Sequence, residues 1–152
     1  MNAVEPIQTF MPGAECFGCG GNNSHGLQIK SYHRGEEVFC GWTPEPKHQG
    51  WQGNTCGGIL ATLIDCHCMA AAMAFSAQLE GSSLEQHSQV RFITGSLEIR
   101  FLKPTPVKVP VLLIARLKDV RKERIYTLRC DLFSGRDKTV EAEVVAFRTE
   151  TD

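Results

Sequence analysis

Hydrophobic and polar positions divide the chain into two short strands, one long helix and about four further strands. Residues 1–26, with Pro6, Pro12 and a scatter of glycines, read as an irregular lead-in holding one short helical turn. Residues 27–32 and 38–42 read as a strand pair around Arg34-Gly35-Glu36, and 44–55 as a loop punctuated by Pro44, Pro46, Gly50, Gly53 and Asn54. From Gly57 or Gly58 to Ala77 the chain is rich in Ala, Leu, Met and Ile, which predicts a long helix that Gly81 stops. Residues 96–102 then alternate, Leu97, Ile99 and Phe101 against Glu98 and Arg100. Segments 107–118, 124–133 and 139–148 follow, separated by turn signals such as Ser134-Gly135-Arg136-Asp137. Pro104, Pro106 and Pro110 mark an edge or corner. The order predicts an α+β fold in one domain spanning 1–152, with a single helix for the sheet to cover.

The helix carries apolar Ile59, Leu63, Cys66, Ala70 and Met73 on one face. The opposite face holds Gly58, Ala61, Asp65, Ala72 and Ser76, nearly all small, so both faces are expected to be buried. Asp65 is the lone acid on that face. A buried acid can serve a structural cap, but a carboxylate among small side chains also suits a pocket wall, where partial desolvation favours general-base chemistry.

Composition narrows the function classes. Sixteen Lys and Arg against seventeen Asp and Glu leave a net charge of −1, which argues against nucleic acid as a general partner. The first ten residues carry Glu5 and no apolar run, so no signal peptide is expected. The apolar stretch 57–79 contains Asp65 and His67 and reads as a buried helix rather than a membrane span. Seven cysteines without an export signal point to reduced thiols and a cytoplasmic location.

Cys16-Phe-Gly-Cys19 followed by His25 has the spacing of half a zinc site. A closed tetrahedral site needs four ligands, and no second close Cys or His pair follows. Cys66-His67-Cys68 cannot place three side chains on one helix face. The pair therefore reads as a tight turn with two half-buried thiols, and no metal or cofactor is expected.

Cys56-Gly57-Gly58 lies at the helix start, where backbone N–H groups meet the positive end of the helix dipole. Donors able to hold an oxyanion, with Asp65 nine residues after Cys56, make an acyl-transfer constellation.

These residues resemble the hotdog-fold acyl-CoA thioesterases, in the branch of phenylacetate-pathway and 4-hydroxybenzoyl-type enzymes. Three segments carry the resemblance in order: Cys16 to Leu27, His48 through Gly58 to Asp65, and Leu97 to Val107 with its proline corner at Pro104. The resemblance implies a long helix wrapped by a curved antiparallel sheet, assembled as a homodimer or dimer of dimers with sites at the interface. It implies an acyl-CoA substrate and hydrolysis without metal. Asp65 of one subunit would act as nucleophile or general base facing Gly57 or Gly58 of the other, whose N–H polarises the thioester carbonyl. Thr94 and Gly95 fall where some relatives carry a hydroxyl that positions water, and His48 lies in the preceding loop.

Cys56 departs from the pattern, which has His there, and a thiol is the weaker donor. Loss of that bond would slow the enzyme, and it favours the alternative of a non-catalytic acyl-CoA binder. Cys56 as nucleophile lacks an adjacent imidazole in the sequence, and a dehydratase would want an acid-paired histidine that His67 does not supply. The basic residues Lys118, Arg121, Lys122 and Arg124 offer either contacts to CoA phosphates or a solvated turn, and the interleaved acids favour the turn. Met69, Met73 and Phe75 are the expected lining of the acyl pocket.

Overall fold

The computed structural model describes residues 4–150. The first three residues of the lead-in therefore lie outside the described residues. A short 3-10 turn, Ile7–Phe10, precedes β1 (Tyr32–Arg34) and β2 (Glu37–Trp42). Helix α1 (Gly57–Glu80) follows, and then β3 (Val90–Phe101), β4 (Val111–Arg121), β5 (Ile125–Ser134) and β6 (Asp137–Glu150). The strands form one antiparallel sheet in the order β1-β2-β4-β5-β6-β3, wrapped on α1. This is the hotdog architecture that the resemblance implies.

The helix ends as its sequence dictates. Gly81 takes a left-handed φ of 67°, and the Gly81 and Ser82 N–H groups return to the last-turn carbonyls at 3.2 and 2.9 Å. From Leu63 to Ala77 all residues but Asp65 are buried, so both faces are covered over this stretch. By length and composition α1 is apolar enough to cross a membrane, yet 72% of its most apolar window is packed inside the fold. It is the core helix. His67 is fully buried and bridges three segments: Nε2 lies 2.9 Å from the Val38 carbonyl and Nδ1 lies 2.8 Å from Ser31 Oγ. Burial lowers its pKa to about 4, so the neutral ring donates to Val38 and accepts from Ser31.

Several boundaries depart from the sequence reading: α1 runs on past Ala77 to Glu80, and the strand expected from 107 starts at Val111 and reaches Arg121. Residues 27–31 are not a strand, because Gln28 has a φ of 56° and the Leu27 and Ile29 N–H groups bond back to the lead-in at Phe17 and Gly18. Their apolar side chains are buried, but as coil laid over the helix. β3 begins six residues earlier than its clear alternation, at Val90.

A bulge between Thr94 and Ser96 shifts the β3 register by one. Before it Thr94 pairs with buried Ala146, and beyond it Leu97, Ile99 and Phe101 pair with buried Val144, Ala142 and Val140. All four therefore share the sheet face that looks toward α1. β3 pairs only with β6, leaving its other edge open.

Candidate active site

The site forms where the middle of α1 meets the open edge of the sheet. Asp65 is half-buried there, its neighbours on either side of the helix being fully enclosed. Thr94, brought under the helix by the β3 register, donates its hydroxyl to Asp65 Oδ1 at 2.5 Å. A charge-assisted hydrogen bond of this length fixes the carboxylate and leaves its second oxygen open to a ligand. The structure thus joins two residues that lie 29 positions apart.

Gly95 has a structural job, whatever contact it makes to substrate. A Cβ there would lie 2.1 Å from the Phe147 ring, so glycine lets that ring lie against the bulge that aims Thr94. His48 is also occupied: its Nδ1 accepts the Glu45 N–H at 2.9 Å, and its ring packs on Trp42 at a centroid distance of 4.8 Å. Its carbonyl accepts the Cys56 N–H at 2.8 Å, so His48 shapes the loop that delivers the helix start.

Cys56 is the N-cap of α1, but its side chain makes no capping bond. Its carbonyl accepts from Ile59 and Leu60. The N–H groups of Gly57 and Gly58 have no protein acceptor among the described residues and are exposed, as free donors at the positive end of a 24-residue helix. Phe101 packs beside Gly57, 3.6 Å from where a Cβ would stand. Eight residues of helix rise separate Gly57 from Asp65 by about 12 Å.

Other groups resolve against catalysis. Ser76, His87 and Glu80 mimic a triad, with Ser76 Oγ 2.6 Å from His87 Nε2 and Glu80 3.6 Å from Nδ1. Ser76 is fully buried and donates to the Met73 carbonyl, so it accepts from His87 rather than giving it a proton. Lys118 pairs with Glu143 at 2.7 Å, and Lys122 and Glu123 form a tight β4–β5 turn with φ of 53° and 56°. That cluster is a charged turn. Met73 lines a cleft of about 550 Å³ with Met11, Phe92 and Ile93, but Phe75 lies elsewhere, edge-on to His33.

Cys16 and Cys19 do form a turn, and Cys66 of α1 meets them, the three sulfurs lying within 4.8 Å of one another. Hydrogen bonding from Cys66 lowers the Cys19 pKa to about 7, while the same bond and burial raise that of Cys66. All seven cysteines are free thiols.

No protein-family model matches the sequence, and no curated protein matches it. Solved structures do. A thioesterase superfamily protein from Shewanella loihica is 32% identical, with a TM-score of 0.64, over 82% of this chain and 93% of that one. The PaaI protein of the Escherichia coli phenylacetic acid degradation operon is 13% identical, with a TM-score of 0.65, over 81% and 80%. A hypothetical thioesterase from Streptococcus pneumoniae, solved with coenzyme A, is 14% identical, with a TM-score of 0.63, over 81% and 90%.

Proposed function

Because the chain belongs to the thioesterase superfamily, we propose that it hydrolyses an acyl-CoA thioester to the free acid and CoA. The Asp65–Thr94 hydrogen bond at the open edge of the sheet carries this reading. The carboxylate is held by one oxygen with the other free, as an attacking or proton-accepting group must be. Gly57 and Gly58 N–H would receive the carbonyl oxygen as it takes up negative charge. The coenzyme A bound to the pneumococcal structure supports a CoA substrate.

The separation of about 12 Å along α1 supports a site whose two halves come from different subunits. The open β3 edge supplies the means, since a 12-residue strand with one edge unpaired and with exposed Leu97 and Phe101 along it is a template for a second copy. In the resulting homodimer, or dimer of dimers, Asp65 and Thr94 of one chain face the helix start of the other. The whole chain acts as one domain, and its free thiols suit a reducing, cytoplasmic setting.

As general base, Asp65 takes a proton from water while the new hydroxide adds to the carbonyl carbon; the C–S bond then breaks and CoA leaves with a proton. As nucleophile, Asp65 adds itself, expels CoA to form a mixed anhydride, and water cleaves that. Label entering Asp65 during single-turnover hydrolysis in H2-18O marks the nucleophile; label in the product acid alone fits either route, and rapid-quench trapping of an acylated Asp65 then separates them.

The test of function is thiol release across short, medium, long and aryl acyl-CoAs. Turnover of one class at a rate well above background is the expected result. Binding of acyl-CoA without turnover of any class would replace the enzyme with an acyl-CoA binder, the outcome that the weak donor Cys56 favours. Cys56→His is expected to raise kcat, restoring a donor at the helix start worth roughly 1–3 kcal/mol, and an unchanged kcat would remove Cys56 from the site.

A further inference from the structure

The turn Cys16-Phe-Gly-Cys19-Gly20 is fixed by its own backbone. Gly20 N–H donates to the Cys16 carbonyl at 2.8 Å, and the Leu27 and Ile29 N–H groups donate to the Phe17 and Gly18 carbonyls at 2.8 and 3.0 Å. A Cβ at Gly20 would lie 2.3 Å from the Ala14 carbonyl oxygen, and one at Gly18 would lie 2.3 Å from Cys66 Sγ. Glycine at these positions presses the turn onto α1 with both thiols turned to Cys66. Cys16 Sγ stands 3.7 Å from Cys66 Sγ across 50 residues of chain. Cys66 belongs to the core and Cys19 packs against it, but core packing does not account for Cys16, which is exposed.

We infer that Cys16, Cys19 and Cys66 form a three-thiolate site for a thiophilic cation, of which zinc(II) is the best fit. Thiolates placed about 2.3 Å from a tetrahedral zinc ion lie about 3.8 Å from one another. Cys16 and Cys66 already have that spacing, and the widest separation in the trio, within 4.8 Å, needs to close by about 1 Å at most. Three soft sulfur donors select such an ion over magnesium or calcium, which require oxygen ligands. Three protein thiolates leave the fourth position of the tetrahedron to water. Each thiol gives up its proton on binding. The ion then ties the lead-in to α1 at the residue following Asp65. Of the second Cys or His pair sought in the sequence, one member is thus supplied by Cys66 of the helix.

The test is metal binding by the full chain, freshly reduced and stripped with a chelator, and it is independent of hydrolysis. Zinc(II) is titrated against a chromophoric chelator, and cobalt(II) is used as a spectroscopic probe. The wild type is expected to bind one equivalent of zinc and to give a thiolate-to-cobalt charge-transfer band of three-sulfur intensity. Cys16→Ser, at an exposed position that leaves the core intact, is expected to cut that band by about a third and weaken zinc by more than about 100-fold, beyond the loss seen on removing an outer partner. Cys66→Ser is expected to do the same, and Cys56→Ser, outside the trio, to leave both readouts unchanged. No charge-transfer band with wild-type protein, or zinc affinity equal in wild type and Cys16→Ser, would overturn the site. So would a trio that forms a disulfide on mild oxidation and, once reduced, takes up no zinc.

Discussion

His67 makes the stability of this fold sensitive to mild acid. It is fully buried, and neutral imidazole satisfies both neighbours, donating to the Val38 carbonyl and accepting from Ser31 Oγ. Protonation would turn both nitrogens into donors in a site that holds one acceptor and one committed hydroxyl, since Ser31 Oγ already accepts from Gln8 Nε2. The folded pKa of about 4 lies below the ordinary 6.5, so the unfolded chain binds more protons between these values. Stability from this group is therefore complete above pH 6.5 and falls as pH drops toward 4. Across the whole window the loss is about 3 kcal/mol, and at pH 5 it has reached about 2 kcal/mol. Urea unfolding at pH 8 and pH 5 measures it, with His67→Gln as the comparison. Glutamine keeps a donor for Val38 and an acceptor for Ser31, costs about 1–3 kcal/mol at pH 8 through imperfect bonds and packing, and does not titrate. The expected result is that the variant loses about 2 kcal/mol less than the wild type between pH 8 and pH 5. Equal losses in the two proteins, or an imidazole that titrates near 6.5 by NMR, would refute the reasoning.

Two further outcomes follow from the site geometry. Thr94→Val removes the hydroxyl that holds Asp65 while keeping the strand shape; kcat is expected to fall about 10- to 100-fold with KM little changed, as for a lost charge-assisted bond of roughly 1.5–3 kcal/mol, and steady-state kinetics on the preferred substrate measures it. Leu97→Glu places charge on exposed edge strand β3, away from Gly57. Light scattering is expected to show a folded monomer without hydrolysis, and an active monomer would refute the composite site.

The helix was legible because composition, Gly81 and the apolar count all agree on it, and the later strands because alternation and turns coincide. The β1 boundary was not, since Leu27 and Ile29 are buried as coil rather than as strand, and burial alone does not distinguish the two. The β3 bulge was silent for a related reason: one extra residue reverses which side chains face the helix, and alternation read past Gly95 carries no sign of the shift. Asp65 stood out as a lone acid, and its neighbour Thr94 was located through the family pattern rather than through any property of a strand threonine. Cys66 meeting Cys16 and Cys19 depends on packing a lead-in turn on a helix 50 residues away, which linear spacing does not encode. His48 was readable as a loop residue, but its cap on Glu45 was not.

The most direct test of the central claim compares thiol release by the wild type and Asp65→Asn on the best acyl-CoA of the panel. Asparagine keeps the size and still accepts from Thr94, so folding and subunit assembly, checked by circular dichroism and light scattering, are expected to be unchanged. Turnover is expected to fall to background while acyl-CoA binding persists. Hydrolysis undiminished in a correctly assembled Asp65→Asn protein would contradict the account and place the chemistry elsewhere in the fold.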